Sequence, residues 1–151
     1  MPAVCPQQFE NAYDSLAEFI DVKIAAPTNR LQDSILGHDA ALSELFDVWH
    51  DCREPNWDGY DAFAVPQVNM LAAYGLVRSL PFGFPRPSIG AEPDGMMTLE
   101  WYHSPHRLLS VSVDPTGYLH YAGLYGVGRR HGRMAYFTKA PNELLKLIME
   151  L

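Results

Sequence analysis

The sequence predicts an α+β domain, an antiparallel three- or four-stranded meander with N-terminal helices and one C-terminal helix packed on one face. Three observations predict it. Apolar residues recur at helical spacing across much of residues 10–80. The period drops to two from Asp94 onward. Pro141 then introduces a second helical pattern over 141–151. With 151 residues the chain suits one hydrophobic core. Residues 1–151 therefore read as a single domain: 10–80 mainly helical, 94–138 antiparallel sheet and 141–151 helix.

The helical part divides at its breakers. Tyr13, Leu16, Ala17, Ile20 and Ile24 define a helix over 10–25 that Pro27 stops. Residues 28–36 form a turn or short helix, and Gly37 breaks the pattern. Asp39 is expected to cap the next helix, 39–52, whose apolar stripe is Leu42, Leu45, Phe46 and Trp49. Residues 54–61 hold Pro, Asn, Asp and Gly, the residues of tight turns. Pro66 opens a helix running to about Leu80. Val68, Leu71, Ala72, Gly75 and Ser79 give it a small-residue face, and Met70, Tyr74, Val77 and Leu80 a larger one. Pro81, Pro85 and Pro87 make the following stretch extended and stiff.

Strand pairing follows from the turns. Asp114-Pro115-Thr116-Gly117 is a three-residue hairpin loop with Gly where a left-handed residue is wanted. It pairs Asp114 with Tyr118, Ser112 with His120 and Val111 with Tyr121. Matching like faces in the preceding hairpin pairs Leu99 with Val111, Glu100 with Ser110 and Thr98 with Ser112. One face then carries Met97, Leu99, Trp101, Leu109, Val111, Val113, Leu119 and Tyr121, and should lie under the helices. Thr98, Glu100, Ser110, Ser112, His120 and Ala122 occupy the other. A fourth strand is expected at 133–138.

Charge is unevenly spread. The formal net charge of −7 resolves into −8 for residues 1–60, −2 for 61–100 and +3 for 101–151. Net acidity argues against coating DNA or RNA, and no DNA partner is expected. Cys5 and Cys52 form no CxxC pair or metal spacing, which favours a reducing compartment. The first residues lack a basic run followed by an apolar one, and no stretch nears the length of a membrane span. A cytoplasmic location, no membrane association and no cofactor are the corresponding expectations.

Asn56-Trp57-Asp58-Gly59-Tyr60, with Ala62, Pro66 and Leu80-Pro81, forms one half of a recognisable pattern. Pro93-Asp94-Gly95, Leu99-Glu100-Trp101, Arg107, Gly117 and Tyr121-Ala122 form the other. Together they resemble a group of small uncharacterised bacterial proteins marked by an NWDGYGA-like loop and a DG…LEW strand. The match covers roughly residues 50–150. It departs at Asp61, where that loop usually has Gly. The resemblance implies a self-contained natural domain and brings no catalytic residues with it.

Three places could carry function. In the loop, Trp57, Asp58, Tyr60 and Asp61 could grip a basic group or a sugar-like ligand; equally, Asp58 could accept backbone donors and the rings could act as plugs. On the polar sheet face, Glu100 and His120, with His103 or His106 nearby, could form an acid–base pair. No nucleophile elbow accompanies them, and His103-x-x-His106 spans a turn with Pro105, so no metal site is expected. Between Gly126 and Arg133, glycines alternate with Arg129, Arg130, His131 and Arg133. That segment could be a phosphate- or RNA-binding loop, or a hairpin loop complementing an acidic partner. The leading expectation is a non-enzymatic protein-protein interaction module of inhibitor, immunity-factor or adaptor type. A small hydrolase-like enzyme using Glu100 and His120, and phosphate or RNA binding through Gly126–Arg133, are the alternatives. A homodimer is also expected, through a free edge of the strand at 96–102 and the two-sided helix at 66–80.

Overall fold

The computed structural model describes residues 33–151. The helix expected over 10–25, and Cys5, lie outside the described residues. Helix α1, Asp33–Cys52, starts before the point where the sequence reading placed it. Gly37 does not break it and Asp39 does not cap it; both lie inside. A helical glycine costs only about 0.5–1 kcal/mol relative to Ala. Burying one Leu-sized side chain returns about 1.5–3 kcal/mol, and Leu42, Leu45, Phe46 and Trp49 are all buried in one stripe. Helix α2, Gln67–Ser79, follows Pro66, whose φ of −65° and extended ψ make it the cap residue. The Trp49 indole N–H donates to the Val65 carbonyl at 2.9 Å and fixes how the chain enters α2.

Five antiparallel strands follow: β1 Ser88–Ala91, β2 Met97–Ser104, β3 Arg107–Asp114, β4 Tyr118–Tyr125 and β5 Gly128–Ala135. Their spatial order is their chain order. Helix α3, Asn142–Met149, comes last, behind Pro141. The register is the expected one: Leu99 faces Val111, Ser112 faces His120 and Asp114 faces Tyr118. Met97, Leu99, Leu109, Val111, Val113 and Leu119 are wholly buried, and Trp101 nearly so. They meet Met70, Ala73, Leu76 and Val77 of α2 and the stripe of α1. Tyr121, on the same face, is half-buried against that core.

Three expectations need correction. Among the described residues the sheet has five strands, because β1 lies in the Pro-rich stretch; four residues including Gly90 are too short to show alternation. The last strand is Gly128–Ala135 and not 133–138. Its first half is dominated by glycine and arginine, so no apolar periodicity marks it. The strand at 96–102 is interior over its first half, where β1 pairs with Met97–Glu100, so it is not the free edge expected there. Among the described residues the outermost strands are β1 and β5.

Trp101 is 3% exposed and donates its indole N–H to the Pro85 carbonyl at 2.8 Å. Trp101→Ala should lower unfolding stability by about 3–5 kcal/mol in urea titrations. Trp101→Phe, which keeps most of the volume and loses the hydrogen bond, should lower it by about 1–3 kcal/mol.

Candidate functional site on the open sheet face

The period of two divides every strand between two environments. Helices cover one face of the sheet. On the other, cross-strand rows run across the sheet to β5. One joins Tyr102, Leu108, Leu124 and Arg129. The next joins Ser88, Glu100, Ser110, Ala122 and His131. A third joins Gly90, Thr98, Ser112, His120 and Arg133. Arg129, His131 and Arg133 thus form one stripe along β5, and all three are exposed. The Arg133 guanidinium lies over the Tyr118 ring, 4.7 Å from its centroid. Leu108, Ala122 and Leu124 floor a shallow, largely apolar depression of about 280 Å³, rimmed by Arg129 and His131.

Arg130 projects to the opposite side. It covers the Tyr125 ring at 4.6 Å and pairs with Glu150. Tyr125 donates its hydroxyl to the Leu147 carbonyl at 2.8 Å, and burial pushes its phenol above the ordinary range. Arg107 donates to the backbone oxygens of Glu150 and Leu151. These contacts bind the end of α3 to the hairpin of β4 and β5. Cations and donors at a helix C-terminus satisfy its free carbonyls. Arg130 is therefore structural, although it was grouped with its neighbours in the sequence.

The segment 126–133 is not a loop. Gly126 and Val127 alone form the turn between Tyr125 and Gly128. Gly126 has φ 70° and Val127 has no positive φ, the pattern of a two-residue hairpin with glycine first. Backbone N–H groups from Gly128 onward alternate sides along a strand, so they do not converge on one anion as in a phosphate-cradling loop. The signal that would have found β5 is Tyr125-Gly126-Val127-Gly128 itself. Extending the register from it aligns Arg129, His131 and Arg133 on one face.

The structure does not bring Glu100 and His120 together. They lie on strands separated by β3, a gap of about 9–10 Å across the sheet, and in different rows. Among the described residues Glu100 has no hydrogen-bonding or ionic partner. His120 instead approaches Asp114, Nε2 to Oδ2 at 3.4 Å. Ser112 donates its hydroxyl to Glu92. His103 and His106 flank the β2–β3 turn, and among the described residues no cluster of His, Cys, Asp or Glu could hold a metal. Cys52 is buried, which raises its thiol pKa and disfavours the reactive thiolate.

The Trp57–Asp61 loop stands apart, between α1 and α2. Asp58 Oδ1 accepts the N–H groups of Tyr60 at 2.8 Å and Ala62 at 3.1 Å. Asn56 Oδ1 accepts the N–H of Asp61 at 2.9 Å. The Trp57 indole donates to the Phe63 carbonyl. Asp61 has φ 65°, in the left-handed region that Asp tolerates better than most residues. The polar groups of Asp58 thus close the loop internally. Tyr60, 88% exposed, and Phe63 remain outside it.

No family model, curated protein or solved structure matches the chain. No helix among the described residues is long and apolar enough to cross a membrane.

Two outcomes follow from this geometry. Asp58→Ala should lower stability by about 1–2 kcal/mol through the lost backbone acceptor, with Asp58→Asn recovering most of it, as read by thermal melts. Hydrogen bonds from the Thr116 N–H and hydroxyl hold the Asp114 carboxyl below its usual range. Its contribution is therefore complete above the unfolded-state value and lost as pH falls through the folded one. Asp114→Asn should flatten the stability-versus-pH curve between about pH 5 and pH 2, measured by urea unfolding.

Proposed function

We propose that this chain is a non-enzymatic protein-binding module that receives its partner on the open sheet face along β5. The observation that carries the reading is the alignment of Arg129, His131 and Arg133 as an exposed stripe. The stripe lies beside exposed Tyr102 and Tyr118 and the apolar depression of Leu108 and Leu124. Arginine and tyrosine around an apolar centre are the residue types that concentrate binding energy at protein interfaces. The inhibitor, immunity-factor and adaptor roles all use such a surface. On the same open face, Glu92 and Ser112, and Asp114 and His120, are committed to each other in pairs and supply no poised nucleophile.

Arg133 stacked on Tyr118 favours a second reading, binding of single-stranded RNA, in which bases stack on aromatics and arginines meet phosphates. One experiment separates the two. Immobilised wild type and an Arg129→Glu/His131→Glu/Arg133→Glu variant are exposed to lysate of the native host with and without nuclease. A protein retained by wild type after nuclease treatment and lost with the variant, then forming a stoichiometric complex when purified, supports protein binding. Retention that disappears with nuclease supports RNA. A retained set identical for both chains rejects the surface.

A further inference from the structure

The two edges of the sheet are treated differently. β1 is only four residues long, and the Glu44 carboxylate of α1 accepts the Ile89 N–H at 3.0 Å while also pairing with Arg86. A helix side chain thereby occupies that edge. β5 is eight residues long and runs outermost with no strand beyond it among the described residues. Its alternation is fixed by the hairpin. In a two-residue hairpin the flanking pair, Tyr125 and Gly128, exchanges hydrogen bonds, and hydrogen-bonded pairs then recur at every second position. The inward groups are those of Gly128, Arg130, Gly132 and Met134. The outward N–H and C=O groups belong to Arg129, His131 and Arg133. The same three residues therefore present both their free backbone groups and, on the open face, their side chains.

Resting on the interaction reading above, we propose that β5 accepts an extended acidic segment of a partner protein as a sixth, edge-added strand, with Asp or Glu at alternate positions. Strand addition uses the outward backbone groups for affinity and the alternating side chains for specificity. In the added strand, residues at every second position share the open face with Arg129, His131 and Arg133, and opposite charges facing each other across strands are favourable. The intervening positions lie on the side of Arg130, already neutralised by Glu150. The charges also exclude the commonest competitor. Antiparallel pairing of two β5 edges about a two-fold axis sets arginines near arginines, and like charges opposite one another are unfavourable. Among the described residues the open-face acids leave the stripe uncancelled: Glu92 and Asp114 are engaged by Ser112 and by Thr116 and His120, and Glu100, on β2, is three strands away, about 14 Å, against a screening length of about 8 Å at physiological salt.

The test uses the full chain and fluorescein-labelled peptides in anisotropy titrations. One peptide alternates Glu with Val and Thr; an isomer holds the same residues with its Glu contiguous; a third repeats the first with N-methylated backbone at its centre. The alternating peptide should bind about tenfold or more tighter than either control, and less tightly as salt rises. His131→Pro removes an outward N–H without touching the β4 ladder, as prolines do on edge strands, and should abolish the preference for the unmethylated peptide. Equal binding of all three peptides, tighter binding of an RNA oligomer of equal charge, or concentration-dependent dimers in sedimentation equilibrium would each overturn the proposal. If a native partner is lost with the triple Glu variant but retained by His131→Pro, the open-face reading stands and strand addition fails. If neither variant affects it, both fail.

Discussion

The β3–β4 register sets everything else. A slip of one residue would exchange Leu109, Val111 and Val113 for Ser110 and Ser112 and turn the core face of the strand to solvent. The turn at Asp114 prevents it. Asp114 Oδ1 accepts both the N–H and the hydroxyl of Thr116 at 2.8 Å, and the Asp114 carbonyl accepts the Gly117 N–H at 3.2 Å. The Gly117 carbonyl in turn takes the Tyr136 N–H at 2.8 Å, just beyond β5. One four-residue turn thus aligns the central hairpin and anchors the exit of the edge strand.

Given that register, the helices can cover only one face. α1 and α2 bury the apolar rows of β2 and β3, while α3 is held at the far end by Tyr125, Arg107 and Arg130. The remaining face keeps its small polar residues at the centre and its cations at one border. Two of its acids are engaged, Glu92 by Ser112 and Asp114 by Thr116 and His120, while Glu100 stands on β2 at a distance from β5. The uncommitted groups are concentrated on β5.

The central sheet was legible in the sequence because its strands alternate cleanly and its turn chemistry is strong. Val111 facing Tyr121 and Leu99 facing Val111 follow from those two facts alone. The start of α1 was not legible, since Gly37 and Asp39 resemble a helix boundary and tertiary burial overrides that local preference. β1 was hidden by its length. β5 was hidden by its function as an edge: a strand that buries only Met134 among its eight residues leaves no apolar period to detect. Of the candidate site residues, Arg129, His131 and Arg133 fall together, whereas Arg130, Glu100 and Asp58 acquire other neighbours. Side-chain direction on a strand decides those assignments, and it could not be read before the strand itself was recognised.

The attachment of β5 leaves its open-face side chains outside the packing that holds it. A methyl group on Gly132 would lie 3.0 Å from the Tyr121 hydroxyl and 3.2 Å from the adjoining ring carbon, so the tyrosine of β4 covers the strand where a side chain of β5 would otherwise stand. β5 is thereby held by its ladder, by its neighbour's ring and by Met134, with little dependence on Arg129, His131 or Arg133. The edge strand is thus held by groups other than the side chains it displays on the open face.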